Sequence, residues 1–315
     1  MMDTLHLVDP LLRPLLDRWP TTSLSADNLA AARARDLPLP TSETVGVTVE
    51  DRRVPGPAGA PDIGLRLYRP DPDEAPVGCL YHIHGGGYVM GAARDVDFVY
   101  RPLAAELGCV VVSVDYRLAP EAVFPAAIED CYAGLGWTFS QAEALGVDPA
   151  RIGVIGASAG AGLVAALALL ARDRGEYRLA FQHLTYPMLD DRTCVRPTHR
   201  FAGQFIWNSD SNRFGWSSLL GQEPGGGAVS PYAAPARAGD LGGLPPTFMM
   251  TGALDLFVDE DIDYARRLLA AGVPTEFHIY PGAVHGFNAL AGVPVADQAR
   301  ADRLASLRRA LSPVR

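Results

Sequence analysis

Short apolar runs alternate with longer amphipathic stretches through most of the 315-residue chain. Near the start, Leu5, Leu11, Leu12, Leu15, Leu16 and Trp19 fall close to helical spacing, interrupted by Pro10 and Pro14. A helical arm that covers something apolar is expected there. The pattern then changes to runs rich in β-branched and aromatic residues at 44–49, 65–68, 79–83 and 109–114. The last is almost wholly apolar, as a strand buried on both faces should be. Residues 95–107, between the third and fourth runs, have helical composition and predict a β-α-β crossover.

The alternation continues with a helix at about 125–144, a strand at 151–155, a helix at about 159–172 and a strand at 179–184. From about 191 to 227 the rhythm breaks. Phe201, Phe205, Trp207, Phe214 and Trp216 occur without strand signals and the stretch ends in a glycine-rich turn, which predicts a helical insertion. Alternation resumes with a strand at 246–251, a helix at about 259–271, a strand at 275–280 and a last helix after 295. Eight strands with interleaved helices predict an α/β protein with a mostly parallel sheet covered on both faces. No internal repeat occurs, and no linker is long enough to separate independent domains.

A 48% hydrophobic content can fill a sizeable core, and Gly 32 with Pro 26 supplies many loops without low complexity. The net charge of -9 argues against nucleic-acid or anionic-membrane partners, which need a basic face. All 27 basic residues are arginine, so Schiff-base chemistry, a P-loop lysine and a Ser-x-x-Lys acylating pair are excluded. Cys79, Cys109, Cys131 and Cys194 have no metal-finger or C-x-x-C spacing and are expected as free, mostly buried thiols in a reducing compartment. The first ten residues carry an acid where a signal peptide carries positive charge, and the longest apolar run, 161–171, is too short to span a bilayer. A soluble, cytoplasmic protein is expected.

The chemistry centres on Gly156-Ala157-Ser158-Ala159-Gly160, between the strand at 151–155 and the helix that follows. A bare G-x-S-x-G is common; a strand before it and a helix after it make it a sharp turn that presents a serine nucleophile. Upstream, His84-Gly85-Gly86-Gly87-Tyr88 follows the third strand. Consecutive glycines let backbone N–H groups approach an oxyanion closely. His82 and His84 could share a strand face as metal ligands, but no third ligand lies nearby in sequence. As base, His285 is preferred because it lies in a loop just past the last strand, whereas His183 and His278 sit inside strands, His6 in the arm and His199 in the insertion. As carboxylate, Asp255 follows a strand within a few residues, with Asp259 in reserve; Asp259, Glu260 and Asp261 fit the acidic first turn of a helix. The order Ser158, Asp255, His285 is that of α/β-hydrolases.

With these motifs the chain resembles the hormone-sensitive-lipase-like carboxylesterases, the bacterial family IV esterases of the α/β-hydrolase fold, over roughly residues 45–315. The resemblance also rests on Asp115-Tyr116-Arg117-Leu118-Ala119-Pro120-Glu121, Tyr186-Pro187-Met188-Leu189-Asp190, Asp255 through Glu260, and His285-Gly286-Phe287. It implies an oxyanion hole formed by the N–H groups of Gly86, Gly87 and Ala159, and a cap formed by the arm and the insertion. Two positions depart from the family pattern: Ala157 stands where an acid or threonine is usual, and Leu256 where proline is common. Asp115, Arg117 and Glu121 are expected to be structural.

The expected organisation is an arm at 1–43, a catalytic domain at 44–190 and 228–315, and a cap insertion at 191–227. The expected activity is hydrolysis of short- to medium-chain carboxylic esters through an acyl-enzyme, with a small-molecule ester as partner and neither cofactor nor metal. Tyr88, Phe205 and Trp207 are the expected substrate contacts. An amidase or lactonase using the same triad, a non-catalytic ligand-binding protein of the same fold, and a homodimer remain open.

Overall fold

Eight strands form one sheet in the computed structural model, which describes residues 4–35, 46–71 and 75–312. They are β1 Val47–Val54, β2 Ile63–Pro70, β3 Val77–Ile83, β4 Val110–Asp115, β5 Val147–Ala157, β6 Gln182–Thr185, β7 Thr247–Gly252 and β8 Thr275–Tyr280. Their spatial order is β1-β2-β4-β3-β5-β6-β7-β8. Every neighbouring pair from β4 to β8 is parallel, whereas β1 and β2 form an antiparallel hairpin that joins β4 antiparallel. The expectation of a mostly parallel eight-stranded sheet is met. The strand expected at 44–49 begins at Val47; Thr44 and the arm boundary at 43/44 lie outside the described residues.

The helices α3 Asp97–Leu107, α4 Ala126–Ser140, α5 Ala159–Arg174, α7 Val258–Ala270 and α8 Pro294–Leu311 interleave with the strands, after two short arm helices, α1 Arg13–Arg18 and α2 Leu29–Arg33. The longest apolar run forms the first part of α5, where every residue from Ala159 to Ala171 is buried. A helix apolar all round belongs in the interior. Among the described residues no helix is long and apolar enough to cross a membrane.

The arm departs from a continuous helix. Pro10 and Pro14 break it into 3-10 turns at Leu5–Leu7 and Pro10–Leu12, followed by α1, because proline supplies no N–H and fits only the start of a helical turn. Leu12 and Leu15 are buried in a cluster with Tyr186, Met250 and Phe287, while Leu5 and Leu11 stay exposed. The insertion holds a 3-10 turn at Asp191–Cys194 and one helix, α6 Ser209–Leu220, whose N-cap Asn208 accepts a bond from Ser211 N. Arm and insertion are stitched together by Ile206 N to Thr21 Oγ1 (2.9 Å), Ser23 Oγ to Asp210 Oδ2 (3.0 Å) and Leu24 N to Ser211 Oγ (3.0 Å).

Candidate active site

The chain leaves β5 at Ala157, turns at Ser158 and enters α5 at once. Ser158 has φ +56° and ψ −127°, a conformation that costs a residue with a side chain roughly 1–3 kcal/mol and is found where function demands it. The turn closes only because Gly160 has no side chain: a Cβ there would lie 2.2 Å from the carbonyl oxygen of Ile83. Ser158 N donates to Thr185 O on β6, and Ser158 O accepts from Gly162 N and Met188 N. The strained residue is thereby fixed from both sides.

Loops past β7 and β8 bring the partners. His285 Nε2 lies 3.0 Å from Ser158 Oγ, and His285 Nδ1 lies 2.8 Å from Asp255 Oδ2. A carboxylate oxygen only accepts, so Nδ1 carries the proton and Nε2 is left to accept the serine hydroxyl. Asp255 is 1% exposed, and its other oxygen accepts Phe257 N at 3.0 Å. The imidazole is surrounded by Tyr186 (ring centroids 4.6 Å apart), Phe257 (5.5 Å) and Trp207 (6.4 Å). Asp259, the reserve, is exposed on α7 and faces His199 N instead. The other histidines have other partners: His183 meets Ser306, and His278 meets Glu276.

Past β3 the backbone makes three successive left-handed residues, Gly86 (φ +117°), Gly87 (φ +61°) and Tyr88 (φ +68°). Among the described residues neither Gly86 N nor Gly87 N is taken by a carbonyl. Ala159 N opens α5, where the first amides lack intrahelical acceptors. Three donors are therefore available on loops that meet at Ser158: a Cβ on Gly85 would lie 2.8 Å from Ala157 O and 3.5 Å from Ser158 Cβ.

Tyr88 departs from its expected place at the substrate. Its ring is buried against Trp216 and its hydroxyl donates to Met188 O, so it buttresses the glycine loop from inside. The Trp207 ring lies 6.4 Å from that of His285. It comes within 2.3 Å of where a Cβ on Gly87 would stand, and Phe205, like Phe201 and Trp19, packs against the buried cluster that includes Phe287. Trp207 is aimed by a γ-turn centred on Ile206 (φ +63°), with Trp207 N donating to Phe205 O at 2.8 Å.

The two upstream histidines are committed elsewhere. His82 Nδ1 bonds Ser113 Oγ at 2.7 Å, and His84 Nδ1 donates to Gly85 O while its ring stacks on Tyr116. Burial lowers the pKa of both. Among the described residues no three His, Cys, Asp or Glu side chains gather into a metal site.

Asp115 accepts Ala93 N, Arg117 pairs with the fully buried Asp130, and Glu121 pairs with Arg33 of the arm. All three are held in contacts within the fold. Leu256, at the departure from the family pattern, is buried beneath Gly203 of the insertion.

Asp259, Glu260 and Asp261 form the acidic first turn of α7 as the sequence suggests, but the last two are buried. Glu260 accepts Leu189 N (2.6 Å), Asp190 N (3.2 Å) and the Thr193 hydroxyl, fastening the base of the insertion. Asp261 is 0% exposed, with the Thr251 hydroxyl beside it. Burial pushes both carboxyls well above their ordinary range. The signal for Asp261 was available: with Tyr264, Ala265 and Leu268 it occupies the i, i+3, i+4, i+7 stripe of buried positions on α7.

Known proteins share this architecture. The profile of the α/β-hydrolase fold family matches residues 80–289. Carboxylesterase NlhH of Mycobacterium tuberculosis is 39% identical over 310 residues, covering 96% of each chain, and esterase LipI of the same organism is 37% identical, covering 96% of this chain and 94% of its own. A bacterial heroin esterase of known structure superposes with a TM-score of 0.90 at 39% identity, covering 98% of this chain and all of its own. A strained serine at a strand-to-helix turn, a histidine bridging it to a buried acid and relatives that span nearly the whole chain lead to one assignment: this protein belongs to the hormone-sensitive-lipase-like carboxylesterases of the α/β-hydrolase fold.

Proposed function

We propose that the protein is a serine carboxylesterase that hydrolyses short- to medium-chain carboxylic esters through an acyl-enzyme. The observation that carries the proposal is the position of His285, 3.0 Å from Ser158 Oγ and 2.8 Å from Asp255 Oδ2. Ser158 Oγ attacks the ester carbonyl carbon while His285 Nε2 takes its proton, and Asp255 stabilises the imidazolium and holds the tautomer. The N–H groups of Gly86, Gly87 and Ala159 receive the oxyanion. His285 then protonates the leaving alcohol, and water, deprotonated by the same nitrogen, releases the acid. The arm (1–43) and the insertion (191–227) act as a cap over the catalytic domain (44–190 and 228–315). Within the cap, Trp207 and Phe205 bound the acyl end of the site.

A panel of p-nitrophenyl and alkyl esters from acetate to palmitate, beside matching amides and lactones, tests this. Turnover of butyrate and hexanoate esters, abolished by Ser158→Ala, is expected. Preferential hydrolysis of amides or lactones would make the protein an amidase or lactonase. Ligand binding with no turnover of any of them would make it a binding protein.

A further inference from the structure

Arg33, the last residue of α2, directs its guanidinium out of the arm and into the back of the glycine loop. Its Nε donates to Val89 O at 2.7 Å, and Nη2 donates to Ala119 O at 2.9 Å. The outer edge of the same fork pairs with both oxygens of Glu121, at 2.6 and 2.8 Å. The two carbonyls belong to segments already joined to each other, since Ala119 N donates to Tyr88 O. Val89 and Ala119 are fully buried, and they form a small apolar cluster with Leu29 of the arm, against which Leu24, Met90 and Phe214 pack.

The loop so held is the one with three left-handed residues in a row, of which Tyr88 is not a glycine. Such a conformation persists only where its surroundings over-determine it. Val89 N and Met90 N both return to Gly86 O, so the position of Val89 is tied to that of Gly86 within one turn. Only a planar cation with several fixed N–H groups can meet two carbonyls and a carboxylate together; an ammonium on the same stem is a point donor.

We propose that Arg33 is a positioning residue for the oxyanion hole, so that its bonds to the Val89 and Ala119 carbonyls set the geometry of Gly86 and Gly87. The proposal rests on the esterase reading of the site. It makes the arm part of the catalytic apparatus through one side chain, in addition to any wall the arm contributes.

The test compares Arg33→Ala, Arg33→Lys and Ser23→Ala in the full-length protein. Ser23→Ala loosens the same arm at its contact with Asp210 and leaves Val89 untouched. Active sites are counted by titration with diethyl p-nitrophenyl phosphate, so that kcat refers to folded enzyme. For Arg33→Ala, kcat on p-nitrophenyl butyrate should fall about tenfold or more, with KM within about twofold. Affinity for an alkyl trifluoromethyl ketone, whose adduct carries the oxyanion, should fall by the same factor. Hydrogen exchange at the amides of residues 86–90 should quicken. Arg33→Lys should retain most of the defect, and Ser23→Ala none of it.

Unchanged kcat and unchanged exchange in Arg33→Ala would overturn the proposal, as would an equal loss in Ser23→Ala, which would assign the effect to arm docking in general. The exchange measurement is independent of turnover. If the wild-type protein hydrolyses no ester yet Arg33→Ala quickens exchange at 86–90, the esterase reading fails while the control of the loop by Arg33 stands.

Discussion

Trp207→Ala should lengthen the acyl chains that the enzyme accepts. The Trp207 ring lies across Gly87 and 6.4 Å from the His285 ring, and it is 7% exposed. An acyl chain leaving the carbonyl carbon on this side meets the indole early. Its removal opens room for about three methylenes, and each methylene transferred from water contributes about 0.8 kcal/mol, or about fourfold in kcat/KM. The ratio of kcat/KM for p-nitrophenyl octanoate to that for butyrate should therefore rise by roughly tenfold to sixtyfold, the lower figure allowing for partial collapse of the cavity. Loss of a buried tryptophan costs about 3–5 kcal/mol of stability in a tight core. The assay is accordingly run at 20 °C with titrated active sites, and Trp207→Leu serves as a smaller perturbation with a smaller shift in the same direction. Equal scaling of kcat/KM at every chain length, in both variants, would refute the placement of Trp207 at the acyl end.

Ser158→Ala and His285→Ala should each lower kcat by about 10³-fold or more, and the double variant by little beyond either, because the two act as a unit; additive losses in single-turnover assays would count against the triad. Asp255→Asn should lose about 10⁴-fold through the wrong imidazole tautomer, whereas Asp259→Asn, on an exposed helix turn, should stay within about twofold; the reverse ranking would reassign the carboxylate. Asp261 is a carboxyl whose folded pKa is raised by burial, so the folded state binds its proton more tightly than the unfolded chain and stability is lost as pH rises above the ordinary carboxylate range. In Asp261→Asn this titration is absent, and its Tm relative to wild type should climb from pH 4 to pH 8 in thermal scans; a difference constant with pH would show that Asp261 does not titrate this way. Deleting residues 1–35 exposes the partners of Leu12, Leu15 and Leu29 and removes Arg33. Each leucine is worth about 1.5–3 kcal/mol of burial, so a marked fall in Tm with loss of activity is expected; an unchanged melting curve and chain-length profile would contradict the packing of the arm.

Strand runs were legible where burial forces a single composition. The apolar runs that became β3 and β4 lie side by side within the sheet, and their register sets the polar residues His82 and Ser113 opposite each other, so the apolar signal of the rest stands out. Ser158 was legible because a turn this tight admits few neighbours. The choice of Asp255 over Asp259 also followed from local order, since Asp255 lies just past the end of β7 whereas Asp259 already belongs to α7. What escaped were features fixed by contacts between distant segments. The antiparallel setting of β1 and β2 depends on which edge they join. The burial of Glu260 depends on the insertion lying over α7, and Arg33 reads as one of many arginines until the glycine loop is folded beneath it. Tyr88 misled because a residue beside a glycine loop can turn either way, and the Met188 carbonyl with Trp216 draws it inward.

Ser158, Asp255 and His285 stand just beyond the carboxyl ends of β5, β7 and β8, and the glycine loop beyond that of β3, all parallel strands of one sheet. The separations within the triad are thus inherited from backbone ladders deep in the protein, whereas the glycine loop also leans on Arg33 of the arm. Frame and cover can then age differently under stress. In mild denaturant or at rising temperature the arm and insertion should loosen while the ladders still hold. An enzyme in that state would keep Ser158, His285 and Asp255 in register while losing its preference among acyl chains and, with Arg33 withdrawn from Val89, much of its rate.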